Sequence, residues 1–114
     1  MARTPQEIFD HHIRALLARD VEALLTDYTE ESVLITPAGV AAGLTGIRAA
    51  FGQLADALDG AEFTIDSRTH HDDVLLIEWT LDAPAFAVRG VDTFLFDADS
   101  IRVQTISQSA TPKG

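Results

Sequence analysis

The second half of this chain is a series of strand-like segments separated by short polar turns. The segments span residues 62–69, 74–81, 85–96 and 101–109, and they are rich in β-branched and aromatic residues. The separators between them are short enough for successive antiparallel hairpins. Such a meander forms a sheet with one apolar face. That face must be covered by the first half of the chain.

The first half predicts three helices with two short strands between the second and the third. Thr4-Pro5-Gln6-Glu7 has the pattern of a capping box, which places the first helix from Pro5 to about Arg19. Asp20 is a candidate N-cap for a second helix that reaches Tyr28. Thr45 is the corresponding candidate for a third helix over residues 47–58.

Turn residues fix the remaining boundaries. The turn Pro37-Ala38-Gly39 separates two predicted strands at residues 32–36 and 40–42. Residues 111–114 are expected to fray. Without an internal repeat or a linker, residues 1–114 are predicted to form one α+β domain. The helices pack on one face of a curved antiparallel sheet, and the curvature leaves a cavity between them.

Charge and composition exclude several classes of function. Eighteen acidic residues against eight basic ones give a net charge of −10, which repels phosphate backbones and anionic membrane surfaces. Nucleic acid and membranes are therefore not expected as partners. The chain has no cysteine, which excludes thiol chemistry and thiolate metal sites. With no apolar leader segment and no membrane span in the sequence, we expect a cytoplasmic protein.

The segment 85–96 contains the residue most indicative of function. In an extended strand, Phe86, Val88, Gly90, Asp92, Phe94 and Phe96 face the same side. An ionised Asp is costly to bury among three Phe, so Asp92 must be hydrogen-bonded, raised in pKa or placed at a cavity wall. A carboxylate that binds backbone amides, or that pairs with Arg89 or Arg102, is the structural alternative.

Several other side chains are candidates for the same site. His12 lies near the inner face of the first helix, where it is either a buried core histidine or a functional one. Tyr28, Phe51, Trp79 and Phe94 are candidate pocket aromatics, with core packing as the alternative for each.

Two further groups of polar residues receive other interpretations. Glu78 lies on the strand face opposite Trp79, where it serves as a base or, as we favour, pairs with an Arg across the sheet. His70-His71-Asp72-Asp73 resembles a metal cluster, but neighbouring residues of a strand or tight turn point in different directions. We interpret it as a solvated hairpin, and no metal is expected.

Four motifs, in register along nearly the whole chain, resemble the nuclear transport factor 2-like superfamily and its SnoaL-like and ketosteroid isomerase-like members. They are Ala18-Arg19-Asp20-Val21-Glu22-Ala23-Leu24 leading to Tyr28, Ser32-Val33-Leu34-Ile35-Thr36-Pro37-Ala38-Gly39, Gly46-Ile47-Arg48-Ala49-Ala50-Phe51 and Gly90-Val91-Asp92-Thr93-Phe94. The resemblance implies a cone-shaped, cystatin-like α+β barrel with an apolar pocket. It also implies a homodimer paired through the sheet.

The resemblance implies roles for three residues. Asp92 matches the protonated oxyanion-hole Asp of the ketosteroid isomerases, and His12 falls at the position of their oxyanion-hole Tyr. Thr36 falls at the position of their base, which a hydroxyl cannot replace near neutral pH. A dyad of Asp92 and His12 remains, in which a neutral His serves as base or donor.

Two functions follow as expectations. The first is binding of a small hydrophobic or carbonyl-bearing molecule in an internal pocket, with isomerase- or cyclase-type acid/base catalysis that needs no cofactor. The catalytic candidates are Asp92 and His12. The ligand-binding candidates are Tyr28, Thr36, Phe51, Trp79 and Phe94. The alternative is a non-catalytic homodimeric interaction domain whose cavity is filled by its own side chains.

Overall fold

The computed structural model describes residues 3–113. Three helices and two short strands precede a meander of four long strands. The elements are α1 (Pro5–Leu17), α2 (Val21–Leu25), β1 (Val33–Thr36), β2 (Gly39–Ala42), α3 (Gly43–Ala57), β3 (Glu62–His71), β4 (Val74–Asp82), β5 (Phe86–Asp97) and β6 (Ser100–Pro112). The predicted α+β class is confirmed.

The first helix begins where its capping box predicts. The Thr4 hydroxyl accepts a hydrogen bond from the Glu7 backbone N–H, and the Glu7 carboxylate accepts one from the Thr4 N–H. The helix ends at Leu17, two residues before the predicted end, because Arg19 adopts a left-handed backbone with φ of 56°. Asp20 then caps α2 by accepting from the Ala23 N–H at 3.1 Å.

Two predicted helix boundaries are wrong. The second helix ends at Leu25 because the N–H groups of Thr26, Asp27 and Tyr28 bond three residues back and form tighter turns. The third helix begins at Gly43 rather than after Thr45. The Glu30 carboxylate, from the preceding loop, accepts from the Leu44 N–H at 3.1 Å, so a distant residue satisfies one of the free donors in the first turn of this earlier start.

The six strands form one curved sheet that does not close, in the order β2-β1-β6-β5-β4-β3. The meander β3 to β6 is antiparallel, as the short turns predict. The pairing of β1 with β6 is parallel and was not predicted, since it joins strands from opposite ends of the chain. It places the β1–β2 hairpin beside the end of the meander, where the hairpin adjoins the cavity.

The C-terminal segment is more ordered than predicted. Thr111 and Pro112 pair with Ala87 and Phe86, and the Lys113 N–H donates to the Ala85 carbonyl at 2.9 Å. The prediction that the chain frays from residue 111 is therefore wrong through residue 113, because β5 extends far enough to supply partners. Gly114 lies outside the described residues.

The core lies between the concave face of the sheet and the helices. Ile8, Phe9 and Leu16 of α1 pack there, together with Ile47 and Phe51 of α3. The sheet contributes its buried apolar residues, which are Leu34, Leu75, Ile77, Trp79, Leu81, Val88, Phe94, Phe96 and Ile101. Within residues 3–113, none of the helices is both long and apolar enough to cross a membrane.

Candidate functional site

A cavity of about 600 Å³ lies between the concave face of the sheet and the helices α1 and α3. Most of its lining is aliphatic or aromatic. The polar side chains that line it are His12, Thr36, Gln53, Asp92, Gln104 and Gln108. Among the lining residues, Asp92 is therefore the one carboxylate, and no Lys or Arg accompanies it.

Asp92 projects from β5 into this cavity and is 6% exposed. Its Oδ1 accepts a hydrogen bond from Trp79 Nε1 at 2.9 Å, and its Oδ2 accepts one from Gln104 Nε2 at 3.0 Å. Burial raises the pKa of Asp92 to about 6, although both donors oppose the rise by stabilising the ionised form. The carboxyl group therefore changes protonation state close to neutral pH.

A chain of buried hydrogen bonds continues from Asp92 toward α2. The Tyr28 hydroxyl donates to Gln104 Oε1, whose amide then donates to Asp92. Tyr28 and Gln104 are 4% and 2% exposed, so both depend on protein partners rather than on water. Burial, together with the nearby Asp27 and Asp92, raises the pKa of Tyr28, which keeps its hydroxyl protonated as a donor.

Gln104 is a site residue that the sequence analysis missed. Strict alternation from the buried Ile101 places Val103 inward and Gln104 outward. The register shifts between Leu95 and Phe96, so Phe96 pairs with Ile101 and Leu95 with Val103, which leaves Arg102 as an extra residue. The bulge reverses the alternation and turns Gln104 inward. No signal at this position of the sequence indicates the bulge.

His12 lines the cavity from α1 and is 2% exposed. Its ring lies among aromatic side chains, with centroids 5.5 Å from Phe94, 5.9 Å from Phe51 and 6.1 Å from Tyr28. Burial, with a smaller contribution from the neighbouring His11, lowers the pKa of His12 to about 3. The ring is thus neutral, and its Nδ1 is buried without a hydrogen-bond partner among the described residues.

The predicted dyad partners share the cavity without a direct hydrogen bond between their described side chains. The donors to the Asp92 oxygens are Trp79 and Gln104, and Phe94 lies against the His12 ring. A ligand in the cavity can therefore contact both groups.

The remaining candidates differ in their access to the cavity. Phe51, Trp79 and Phe94 line it and also belong to the buried core. Thr36 lines it at the end of β1, where its hydroxyl accepts from the Ala38 N–H at 3.1 Å in the β1–β2 turn. Tyr28 is not part of the lining and acts on it through Gln104.

Glu78 lies on the outer face of the sheet, away from this cavity. It is exposed and accepts a hydrogen bond from Ser67 Oγ at 2.9 Å, in place of the Arg pairing we favoured. The His70-His71-Asp72-Asp73 segment forms the end of the β3–β4 hairpin, with Asp72 at φ of 50°. In the part of the chain that the structure describes, no group of three His, Asp or Glu residues is arranged to hold a metal ion.

Solved structures with this fold come from several bacteria. An NTF2-like protein of unknown function from Cytophaga hutchinsonii aligns with a TM-score of 0.80 at 9% identity, over 96% of this chain and 93% of that one. An uncharacterized cystatin-fold protein from Novosphingobium aromaticivorans aligns with a TM-score of 0.79 at 15% identity, over 92% and 98%. At these identities, the likeness establishes the nuclear transport factor 2-like fold alone.

A third similar structure is that of an enzyme. SalBIII, an epoxide hydrolase/cyclase-like enzyme in pyran ring formation in the polyether salinomycin, aligns with a TM-score of 0.80 at 16% identity, over 92% of this chain and 90% of that one. None of the curated proteins matches the sequence. The family model of the SnoaL-like domain matches residues 9–104. The chain belongs to the SnoaL-like domain family.

Proposed function

We propose that this protein is a single domain that binds a small, mostly apolar, carbonyl- or hydroxyl-bearing molecule in the cavity and exchanges a proton with it through Asp92. The observation that carries the proposal is the lone carboxylate in the lining of an otherwise uncharged, largely apolar cavity. Only neutral donors hold it, so no fixed cation neutralises it. The volume of about 600 Å³ supports an occupied site over a cavity filled by the protein's own side chains.

The chemistry follows from the protonation states of two side chains. With a pKa of about 6, Asp92 is mostly ionised at pH 7 and can accept a proton from a C–H bond next to a carbonyl group of the ligand. The electron pair left on the ligand moves onto its carbonyl oxygen. The neutral His12 can donate its N–H to that oxygen. Returning the proton from Asp92 to a different carbon of the enolate completes an isomerisation. If the enolate carbon instead attacks a second carbonyl of the same ligand, a C–C bond forms, the C=O π bond opens, and the proton from Asp92 goes to that oxygen, which closes a ring. Neither reaction consumes a cofactor.

This assignment changes one of the roles that the family resemblance implies. Asp92, at an oxyanion-hole position, becomes the base in place of Thr36, whereas His12 keeps the role of oxyanion donor. Thr36 remains a lining residue without proton chemistry. The absence of Lys and Arg from the lining supports a neutral ligand, because a carboxylate ligand would meet an unneutralised anion there.

Ligand binding is tested by thermal shift, with steroids, polyketide-like aromatics and small enones as probes. A ligand that binds only the folded state raises the apparent melting temperature, and the stabilisation grows with the logarithm of the ratio of ligand concentration to Kd. We expect at least one class to do so. The effect should fall sharply in Asp92→Asn and persist in Glu78→Gln, a matched change on the outer face. Equal shifts in all three proteins would place the ligand elsewhere.

Proton exchange is tested separately from binding. Ligands that bind are incubated with the protein in deuterated water, and their exchangeable carbon positions are followed by NMR. We expect incorporation of deuterium by the wild-type protein and its loss in Asp92→Asn. If ligands bind but incorporate no deuterium, the protein carries small molecules and does not catalyse proton exchange.

We also propose that two copies of the chain pair through the outer face of the sheet. Val74, Leu76, Val91 and Leu95 are each 41–43% exposed on that face. A contiguous apolar surface on neighbouring strands supports an interface. Sedimentation should give a dimer for the wild type and a monomer for the Leu76→Lys, Leu95→Lys double variant. A monomeric wild type would contradict the pairing.

A further inference from the structure

Trp79 donates one of the two side-chain hydrogen bonds to Asp92, and the position of the indole depends on a glycine. Trp79 lies directly opposite Gly90 in the β4–β5 ladder, and Asp92 follows two residues later on the same face of β5. A cross-strand partner normally presents its own Cβ to the opposing side chain. Gly90 presents none, so the indole can extend across the backbone of β5.

The space above Gly90 is filled by the indole. A Cβ built on Gly90 would lie 2.1 Å from Trp79 Cζ2, 2.2 Å from Cε2 and 2.7 Å from Nε1. Those distances are shorter than any packed side chain allows. They involve the same end of the ring that donates to Asp92. An alanine at position 90 would therefore displace the donor itself.

A second contact limits where the indole can go. Phe63 of β3 packs against Trp79 with ring centroids 5.5 Å apart. The indole thus lies between Phe63 on one side and the bare backbone of Gly90 on the other. A side chain at position 90 leaves no room for the ring to keep its hydrogen bond by a small shift toward β3.

We propose that Gly90 is a positioning residue for the Asp92 site. Because Gly90 has no side chain, the Trp79 indole can lie across β5, where its Nε1 donates a hydrogen bond to Asp92 Oδ1 and stabilises the ionised carboxylate. Gly90 touches no ligand in this scheme and acts through Trp79. The inference rests on the proposed role of Asp92 in proton exchange. Its test, however, measures the carboxyl group itself and needs no ligand, so the two proposals can fail independently.

Among the side chains in and around the cavity, Asp92 is the one that changes protonation state near neutral pH. His12 of α1 is neutral because burial lowers its pKa to about 3, and burial raises the pKa of Tyr28, which follows α2. The sheet neighbours Trp79 and Gln104 do not titrate, and the lining residues of α3 and of β1 carry no charge.

The chain contains one tryptophan, which gives the experiment a local signal. The emission of Trp79 should change with pH around a midpoint near 6, because the protonation state of its hydrogen-bond partner changes there. In Asp92→Asn the emission should be constant over that range. A titration that persists unchanged in Asp92→Asn would overturn the coupling.

The decisive variants are Gly90→Ala and Trp79→Phe, followed through the carboxyl ¹³C signal of Asp92. Each removes the Nε1 donor, so the midpoint should rise by about one pH unit in both. In the double variant it should rise no further than in either single one. Gly52→Ala is the matched control, since a Cβ there meets no neighbour within 4 Å, and it should leave the midpoint unchanged.

A purely structural role for Gly90 predicts a different result. If the glycine only avoids a clash, Gly90→Ala lowers stability without moving the Asp92 midpoint, and that result would overturn the proposal. If Gly90→Ala does not fold, Trp79→Leu removes the clashing ring atoms and provides a background in which an alanine at position 90 is tolerated. The midpoint must then be raised in Trp79→Leu and unchanged by adding Gly90→Ala; a further rise would contradict action through Trp79.

Discussion

Asp27 and Asp92 are two buried carboxylates in the same small domain, and they have opposite surroundings. Asp27 is 0% exposed, and its oxygens contact Arg3 Nη1 at 2.9 Å and His11 Nδ1 at 2.8 Å. Asp92 is 6% exposed, and its partners are the neutral Trp79 and Gln104. Asp27 belongs to a charged cluster that joins the N-terminal segment to the turn after α2, whereas Asp92 lines a cavity.

The comparison separates a structural carboxylate from one available for chemistry. A buried carboxylate paired with a guanidinium has its charge balanced within the fold. A buried anion held by neutral donors keeps part of its desolvation cost, so its protonation state can respond to a ligand. Judged by burial alone, Asp27 would be the stronger candidate for a functional carboxylate. Judged by their hydrogen-bond partners, Asp92 is the stronger candidate.

The distinction between the two carboxylates is tested most directly by replacing each one with Asn and comparing the losses of stability. Asp27→Asn leaves the Arg3 guanidinium facing an amide, and we expect the free energy of unfolding at pH 7 to fall by about 3 kcal/mol. Asp92→Asn removes a charge that no cation balances, so its effect should stay within about 1 kcal/mol, with a gain in stability allowed. Denaturant unfolding measures both.

The exposed end of the Asp27 cluster provides a control. Arg3 also contacts the exposed Asp99, with its Nε 3.0 Å from Oδ1. Asp99→Asn should change stability little, because an exposed pair is weak in water. If Asp92→Asn cost as much as Asp27→Asn, Asp92 would be a structural carboxylate and the distinction would fail.

The next prediction uses pH. The pKa of Asp92 rises from 3.8 to about 6 on folding, so between these values the folded state binds more protons than the unfolded state. This contribution favours folding as pH falls from 7 toward 4, and it reaches about 3 kcal/mol. His12 acts in the opposite direction, because its lowered pKa of about 3 makes the unfolded state the better proton acceptor.

The two groups partly cancel, so only a difference between variants isolates Asp92. The stability of the wild type minus that of Asp92→Asn should increase as pH falls from 7 to 4.5. Unfolding curves of both proteins at the two pH values measure it. A difference that is constant with pH would show that Asp92 has the same proton affinity in both states.

A smaller effect is expected in the hydrogen-bond chain that supports Asp92. Tyr28→Phe removes the hydroxyl that donates to Gln104 and leaves Gln104 Oε1 buried without its partner. We expect a loss of about 1 kcal/mol in denaturant unfolding. The substituted ring keeps its packing against Phe51, so a much larger loss would indicate a repacked core rather than a lost hydrogen bond.

These two carboxylates also differ in how far the sequence predicts them. Alternation along β5 predicts that Asp92 faces inward, because local periodicity determines which side of a strand a residue occupies. Asp27 received no prediction, since it lies in a turn after α2 and its partners come from residues 3 and 11. Only the tertiary fold brings the Arg3 and His11 side chains to it.

The same distinction applies to the rest of the fold. The Thr4 capping box and the Asp20 cap are local and were predicted correctly. The cap of α3 by Glu30, the parallel pairing of β1 with β6 and the inward turn of Gln104 depend on distant residues or on a bulge. Local chemistry therefore predicts the elements and the Asp92 stripe, while the partners that determine the behaviour of Asp92 come from the assembled sheet.

The smallest expected effect concerns the position where the family resemblance implies a base. Thr36 lines the cavity, but its hydroxyl already accepts from the Ala38 N–H and has no base beside it among its hydrogen-bond partners in the described chain. Thr36→Val removes one hydrogen bond at an exposed turn, which should lower stability by about 0.5 kcal/mol or less. The Asp92 midpoint and the deuterium exchange of a bound ligand should both be retained, because the proton acceptor is Asp92. Loss of exchange in Thr36→Val with ligand binding preserved would return the base to the family's position and leave Asp92 as an oxyanion partner.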